Sequence, residues 1–203
     1  MRFSWTKKLN IKQQKANDEI RHQALTFRRS LTEINKNHFD KLIQEKLLTY
    51  INRHQIKSVA LYYPTEGEVD TLPIIEELLK NNITVGLPQV ISKELMVFRQ
   101  INNLEFEFEY FKNIKQPTIS NPEMMVNQIK LLVMPLLAYD YELWRLGYGM
   151  GYYDRFLKLH DHEDKIIKIG LAYSGQRFAK FHTHPYDRKV TMVINEKEIV
   201  GRK

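Results

Sequence analysis

The chain begins with helical hydrophobic spacing and then changes period. Ile20, Ala24, Phe27 and Leu31 recur at i, i+4, i+7 and i+11, which predicts an amphipathic helix from Asp18. Phe39, Leu42, Ile43, Leu47 and Leu48 predict a second helix over about 37–53. Residues 58–63 then form an apolar run halted at Pro64, the pattern of a buried strand. Residues 71–80 predict a helix that tolerates Pro73 in its first turn, and 83–87 a strand stopped at Pro88. Further strands are predicted at 130–134, ended by Pro135, at 166–172 and, as the last one, at 190–194. Residues 96–99 with parts of 104–111 predict a hairpin or an edge excursion. Residues 1–16 are polar and basic without a clear period. They predict a flexible extension ahead of a single domain over 17–203.

Strand, helix and strand joined by short connections predict a parallel sheet. The expected class is therefore α/β: three layers, with a mostly parallel central sheet and helices on both faces, Rossmann-like. At 203 residues and 43% hydrophobic, the chain has material for a sizeable core. It has no apolar run near the ~20 residues that span a bilayer. It also has no apolar stretch behind its first charges, so neither membrane nor secretory signal is expected. The absence of cysteine excludes disulfides and thiolate chemistry and fits a reducing cytoplasm.

The net charge of +7 favours anionic partners. Part of the excess lies at the start, in Arg2, Lys7, Lys8, Lys12, Lys15, Arg21, Arg28 and Arg29. Only Phe3, Trp5 and Phe27 accompany that run, and no nucleic-acid module pattern is present, which argues against nucleic acid.

The densest chemistry lies in Arg145-Leu146-Gly147-Tyr148-Gly149-Met150-Gly151-Tyr152-Tyr153-Asp154-Arg155. Alternating glycines can aim successive N–H groups at one anion, and a following helix start adds its dipole. The reading is a phosphate cradle with a metal-binding acid, although a glycine-rich turn before a helix is also an ordinary turn. Neither the Walker nor the dinucleotide fingerprint is present. Four motifs stand at predicted strand ends, where open α/β sheets bind ligands: 63–68, 87–88, 135–155 and 173–176. His160, His162, His182 and His184 form two i, i+2 pairs without the acids or cysteines of a zinc set, and they are left outside the site.

These motifs together resemble the 5-formyltetrahydrofolate cyclo-ligase family. The family's R-L-G-x-G-x-G-Y-Y-D block is matched by Arg145 to Asp154, after a strand ending at Pro135 and a loop reaching Asp140. Its E-[VIL]-[DE]-T motif is matched by Glu68-Val69-Asp70-Thr71, and its Ile-x-x-Pro by Ile114 to Pro117. Gly170-Leu171-Ala172-Tyr173, Gln176 and Asp187 match later elements. Asn17 stands where the family has an N-terminal lysine, with Lys15 two residues away, and Leu143 stands where a glycine is common, which predicts a different turn.

The resemblance implies the sugar-phosphate isomerase/CoA-transferase-like fold. It also implies ATP-driven cyclisation of 5-formyltetrahydrofolate, with or without a polyglutamate tail, to 5,10-methenyltetrahydrofolate. A monomer with ATP as co-substrate and Mg2+ as cofactor is expected. ATP would meet Arg21, Arg145, Leu146, Gly147, Tyr148, Gly149, Met150, Gly151, Tyr152 and Tyr153. The folate would meet Tyr63, Glu68 and residues 148–152. Arg145 and Tyr152 would serve catalysis, and Asp154 and Asp187 would hold magnesium. Plainer readings stand beside these roles: a surface ion pair for Arg145, a solvated charge for Arg21 and core packing for Tyr152. Asp154 could equally be a helix cap, Glu68 a cap before Thr71, and Asp187 part of a turn. A nucleotide- or RNA-binding protein and a sugar-phosphate isomerase or transferase remain as other classes.

Overall fold

The computed structural model describes residues 9–160 and 166–201. Arg2, Phe3, Trp5, Lys7, Lys8 and His162 lie outside the described residues. Helix α1 spans Ile11–Ser30 and α2 Glu33–Arg53. Strand β1 covers Ser58–Ala60, α3 Leu72–Lys80, β2 Thr84–Val90 and β3 Met96–Ile101. Strands β4 (Phe108–Phe111) and β5 (Ile114–Pro117) form a separate antiparallel hairpin. Then come β6 (Leu131–Met134), a small hairpin of β7 (Ala138–Tyr139) with β8 (Arg145–Leu146), and α4 (Tyr152–Leu159). Strands β9 (Ile167–Leu171), β10 (Met192–Ile194) and β11 (Ile199–Gly201) complete the chain.

The main sheet has the order β11-β10-β9-β6-β1-β2-β3. Its five inner strands are parallel, and β3 and β11 are antiparallel edges. Alternation along the strands splits the core. Val59, Leu131 and Val133 face one cluster with Ile43 and Leu47 of α2 and Ile75 and Leu78 of α3. Ala60, Leu132 and Met134 face the other with Phe156 and Leu157 of α4. These are the expected three layers. Helix α1 seals one end, where Ala24 packs with Leu137, Ala138, Leu146 and Phe181.

The chain leaves central β1 toward β2 and later returns to β6 on its other side. Strand order therefore reverses between β1 and β6, and a crevice opens beyond their carboxyl ends.

Four local expectations change. Helix α1 begins at Ile11, where Asn10 accepts the Gln13 N–H at 2.9 Å and Gln13 caps back, so residues 11–16 are helical. Pro88 does not stop β2. It pairs with Phe98 of β3 beyond Gly86, the last β1 partner, so its missing N–H breaks no ladder on that side. The strand at 190–194 is not the last, because β11 turns back along it. Leu143 takes φ +68°, the left-handed conformation that suits glycine, so the turn keeps a glycine geometry with leucine in it.

Candidate active site

The crevice is a cavity of about 1180 Å³. That exceeds the roughly 300–1,000 Å³ typical for one small ligand and leaves room for two. Residues 145–155 form one wall, residues 62–68 the floor, and residues 110–116 of the hairpin the facing wall. Every predicted site residue lines it: Arg21, Tyr63, Glu68, Arg145 to Asp154, and Asp187.

The glycine turn owes its path to two residues. Gly149 (φ +86°) and Gly151 (φ +66°) take left-handed conformations strained for any side chain, and Gly151 is the N-cap of α4. The turn is braced by Arg21, whose Nε donates to the Gly147 carbonyl at 2.8 Å while Nη1 pairs with Asp18 at 2.7 Å. Leu146 contributes little polar chemistry, because its side chain is buried beside Ala24 and Phe181.

Behind the turn, Arg145 is buried at 8% exposure. Its Nη2 lies 2.8 Å from Asp154 Oδ1, within ion-pair range but out of hydrogen-bond alignment. Among the described residues, only Arg145 Nε, Arg145 Nη2 and the Tyr153 hydroxyl are buried side-chain polar atoms without a hydrogen bond. All three belong to residues of this cavity. A buried donor without a partner costs about 1–3 kcal/mol, so the clustering of such atoms at this cavity marks it as a site where stability is given up for function. Burial, then the charge of Glu68, pushes the Tyr153 hydroxyl well above its ordinary pKa, so it remains a donor.

Asp154 Oδ1 also accepts the Arg188 N–H at 3.0 Å, and Asp187 Oδ2 accepts the His184 N–H at 2.7 Å. Burial, then the Asp154 charge, raises the Asp187 pKa. Two neighbouring carboxylates at a cavity, one with its charge disfavoured by burial, fit a divalent cation completed by substrate oxygens. No cluster of three or more metal-binding side chains exists among the described residues.

Glu68 sits in the loop after β1. Its Oε2 accepts the Thr65 N–H at 2.9 Å, and its Oε1 accepts the Tyr148 hydroxyl at 3.3 Å. It does not cap α3: Thr71 makes no side-chain cap, and Asp70 Oδ1 accepts the Leu72 N–H at 3.0 Å. Tyr152 joins two walls, with the Arg155 guanidinium 4.8 Å from its ring centroid and Phe111 edge-on at 6.1 Å.

Several cavity residues carried no sequence signal. His182 and His184, set aside above, line it. Asn17 is buried and holds the His182 backbone in both directions, at 2.7 and 2.9 Å. Lys15 is exposed and does not line the cavity, whereas Asn17 does. On the hairpin, Lys115 Nζ stands 4.2, 4.7 and 5.5 Å from the ring centroids of Phe108, Phe106 and Tyr63. Lys112 reaches across to Met150 Sδ at 3.8 Å. The alternation of Phe106, Phe108 and Tyr110 with acidic residues, within the stretch expected to form a hairpin, is a further hint of this wall.

A model described as the 5-formyltetrahydrofolate cyclo-ligase family matches residues 13–196. The chain is 35% identical over 179 residues to the 5-formyltetrahydrofolate cyclo-ligase of Mycoplasma genitalium, covering 87% of this chain and 96% of that one. It superposes on a 5,10-methenyltetrahydrofolate synthetase from Mycoplasma pneumoniae with a TM-score of 0.74 at 31% identity, covering 89% of this chain and 99% of that one. The Aquifex aeolicus 5,10-methenyltetrahydrofolate synthetase superposes with a TM-score of 0.78 at 29% identity, covering 92% and 95%. The family match spans most of the chain, and the chain belongs to the 5-formyltetrahydrofolate cyclo-ligase family.

Proposed function

We propose that the protein cyclises 5-formyltetrahydrofolate to 5,10-methenyltetrahydrofolate at the expense of ATP, with ADP and phosphate released. The observation that carries this reading is a left-handed glycine turn with the buried Arg145 guanidinium behind it, at the wall of the cavity. A polyanion in that turn meets backbone N–H groups backed by that charge, and a cavity of this size takes a second substrate against it.

The chemical obstacle is a formamide, whose carbonyl is a weak electrophile and whose oxygen leaves poorly. Attack of the formyl oxygen on the γ-phosphorus breaks the bond to ADP and turns that oxygen into a leaving group. N10 then attacks the formyl carbon, loses its proton, and phosphate departs with the oxygen. In-line positioning and charge neutralisation carry most of such a reaction. Backbone N–H groups of the glycine turn, backed by Arg145, hold the triphosphate. Arg21 acts chiefly by fixing the turn through Gly147. Glu68 accepts hydrogen bonds from the pterin, and Tyr152 and Tyr63 wall the reacting region. Asp154 and Asp187 would hold Mg2+, which when bound neutralises phosphate charge. The setting we propose is a cytoplasmic monomer, in keeping with a chain without cysteine, acting on the folate with or without its polyglutamate tail.

The test is spectroscopic. Folded protein mixed with Mg-ATP and 5-formyltetrahydrofolate should develop the near-ultraviolet band of the methenyl product. A flat trace, with ATP unconsumed, rejects the proposal.

A further inference from the structure

Arg28 lies outside every motif, on the last turns of α1, yet it is 4% exposed. Its guanidinium fills the space between two loops. Nε donates to the Gly67 carbonyl, Nη2 to the Glu66 carbonyl at 3.3 Å, and Nη1 to the Tyr148 hydroxyl oxygen at 3.1 Å. That hydroxyl in turn donates to Glu68 Oε1 at 3.3 Å. One buried cation thus grips the backbone of the loop after β1 and, through a tyrosine, the carboxylate that loop presents. Tyr148 belongs to the glycine turn, so the same cation also ties the two halves of the cleft together.

The chemistry explains the arrangement. Glu68 is buried at 7% exposure, and a buried carboxylate needs a cation or donors close by. Tyr148 can accept from Arg28 and donate to Glu68 only while its ring holds one position. That ring is half-exposed and is carried on the turn of alternating glycines, so whatever the turn binds bears on the segment that holds the hydroxyl.

We infer that Arg28 is a positioning residue that couples occupancy of the glycine turn to folate binding at Glu68, through the Tyr148 hydroxyl. The inference rests on the assignment of ATP to the turn and folate to Glu68. By linkage the coupling is reciprocal, so either substrate prepares the site for the other.

Calorimetric titration of the full chain with 5-formyltetrahydrofolate, with and without a non-hydrolysable ATP analogue and magnesium, measures it. In the wild type, the analogue should tighten folate binding by about fivefold or more, the lower end of ordinary coupling. Arg28→Met should bring that factor close to one and raise the folate KM more than it lowers kcat. Arg28→Lys should restore part of it. Tyr148→Phe removes one hydroxyl from a half-exposed ring, so it should lower Tm by no more than the loss of two hydrogen bonds, stay folded and lose the coupling, and it decides the matter if Arg28→Met fails to fold. A wild-type protein that binds both ligands without coupling, or Tyr148→Phe with the wild-type factor, overturns the inference and leaves the proposed function standing. A wild-type protein that binds neither ligand rejects the function, and the coupling with it.

Discussion

The glycine-turn wall of the cleft leaves Arg145 Nε and the Tyr153 hydroxyl without a hydrogen bond, whereas the hairpin wall pairs its own polar groups. On the hairpin, Glu109 Oε1 accepts from Gln89 and Gln116, each at 2.9 Å, which holds its carboxyl below the usual carboxylate range. The Lys115 ammonium is enclosed by three aromatic rings and donates to the Leu104 carbonyl at 3.3 Å. The first wall keeps polar atoms without a hydrogen bond. The second is complete by itself and offers rings, among them half-buried Phe111 and exposed Phe108 and Tyr110. Under the proposed function, the two walls suit the two substrates differently: a charged, glycine-built wall suits the triphosphate, and an aromatic face opposite it offers stacking to a flat ring.

The comparison breaks most readily at Arg145. Arg145→Ala should lower kcat/KM for ATP by about 10²–10³, the effect of removing a charge-stabilising donor from a water-poor site. Its effect on the folate KM should be much smaller, as read from initial rates of methenyl formation. Glu68→Gln should do the reverse and raise the folate KM about tenfold through the loss of charge-assisted hydrogen bonds. Equal effects of the two substitutions on both substrates would erase the division of the cleft.

A change in the hairpin wall should act on the fold more than on the nucleotide. Lys115→Met removes a cation from its rings and should cost about 1–2 kcal/mol in urea unfolding, with the ATP KM near the wild-type value. An ATP KM raised as far as in Arg145→Ala would place the triphosphate on the wrong wall.

The smallest effect concerns the acids. Asp187 has a raised pKa, so the folded chain binds its proton more tightly than the unfolded chain does. Its contribution to stability is therefore greatest in acid and falls as pH rises from about 4, the unfolded carboxylate value, through the folded one. Asp187→Asn keeps an acceptor for the His184 N–H and removes the charge. Its Tm should match wild type in acid and exceed it slightly at neutral pH, while Mg-nucleotide binding weakens. A Tm below wild type across the whole range would show that the charge stabilises the fold.

Much of the site was legible because it is contiguous. Arg145 to Asp154 form one turn and one helix start, and backbone N–H groups joined by alternating glycines carry their chemistry in the order of the residues. Helix and strand positions were legible for a similar reason, since burial of one face imposes a period on neighbours in sequence. Pro88 and Leu143 misled because their consequences depend on partners: a ladder that ends one strand away, and a turn held by its surroundings.

The sequence by itself determined the layers, the parallel sheet and the glycine turn, because each follows from spacing over a few residues. Only the tertiary structure decided that Arg28 reaches Glu68 through Tyr148, that Asn17 ties down His182, and that the hairpin forms the second wall. Those contacts join residues 38 to 165 positions apart, each locally an ordinary helix charge, helix amide or exposed strand. Their meaning comes from burial and proximity, which chain order does not encode at any fixed spacing.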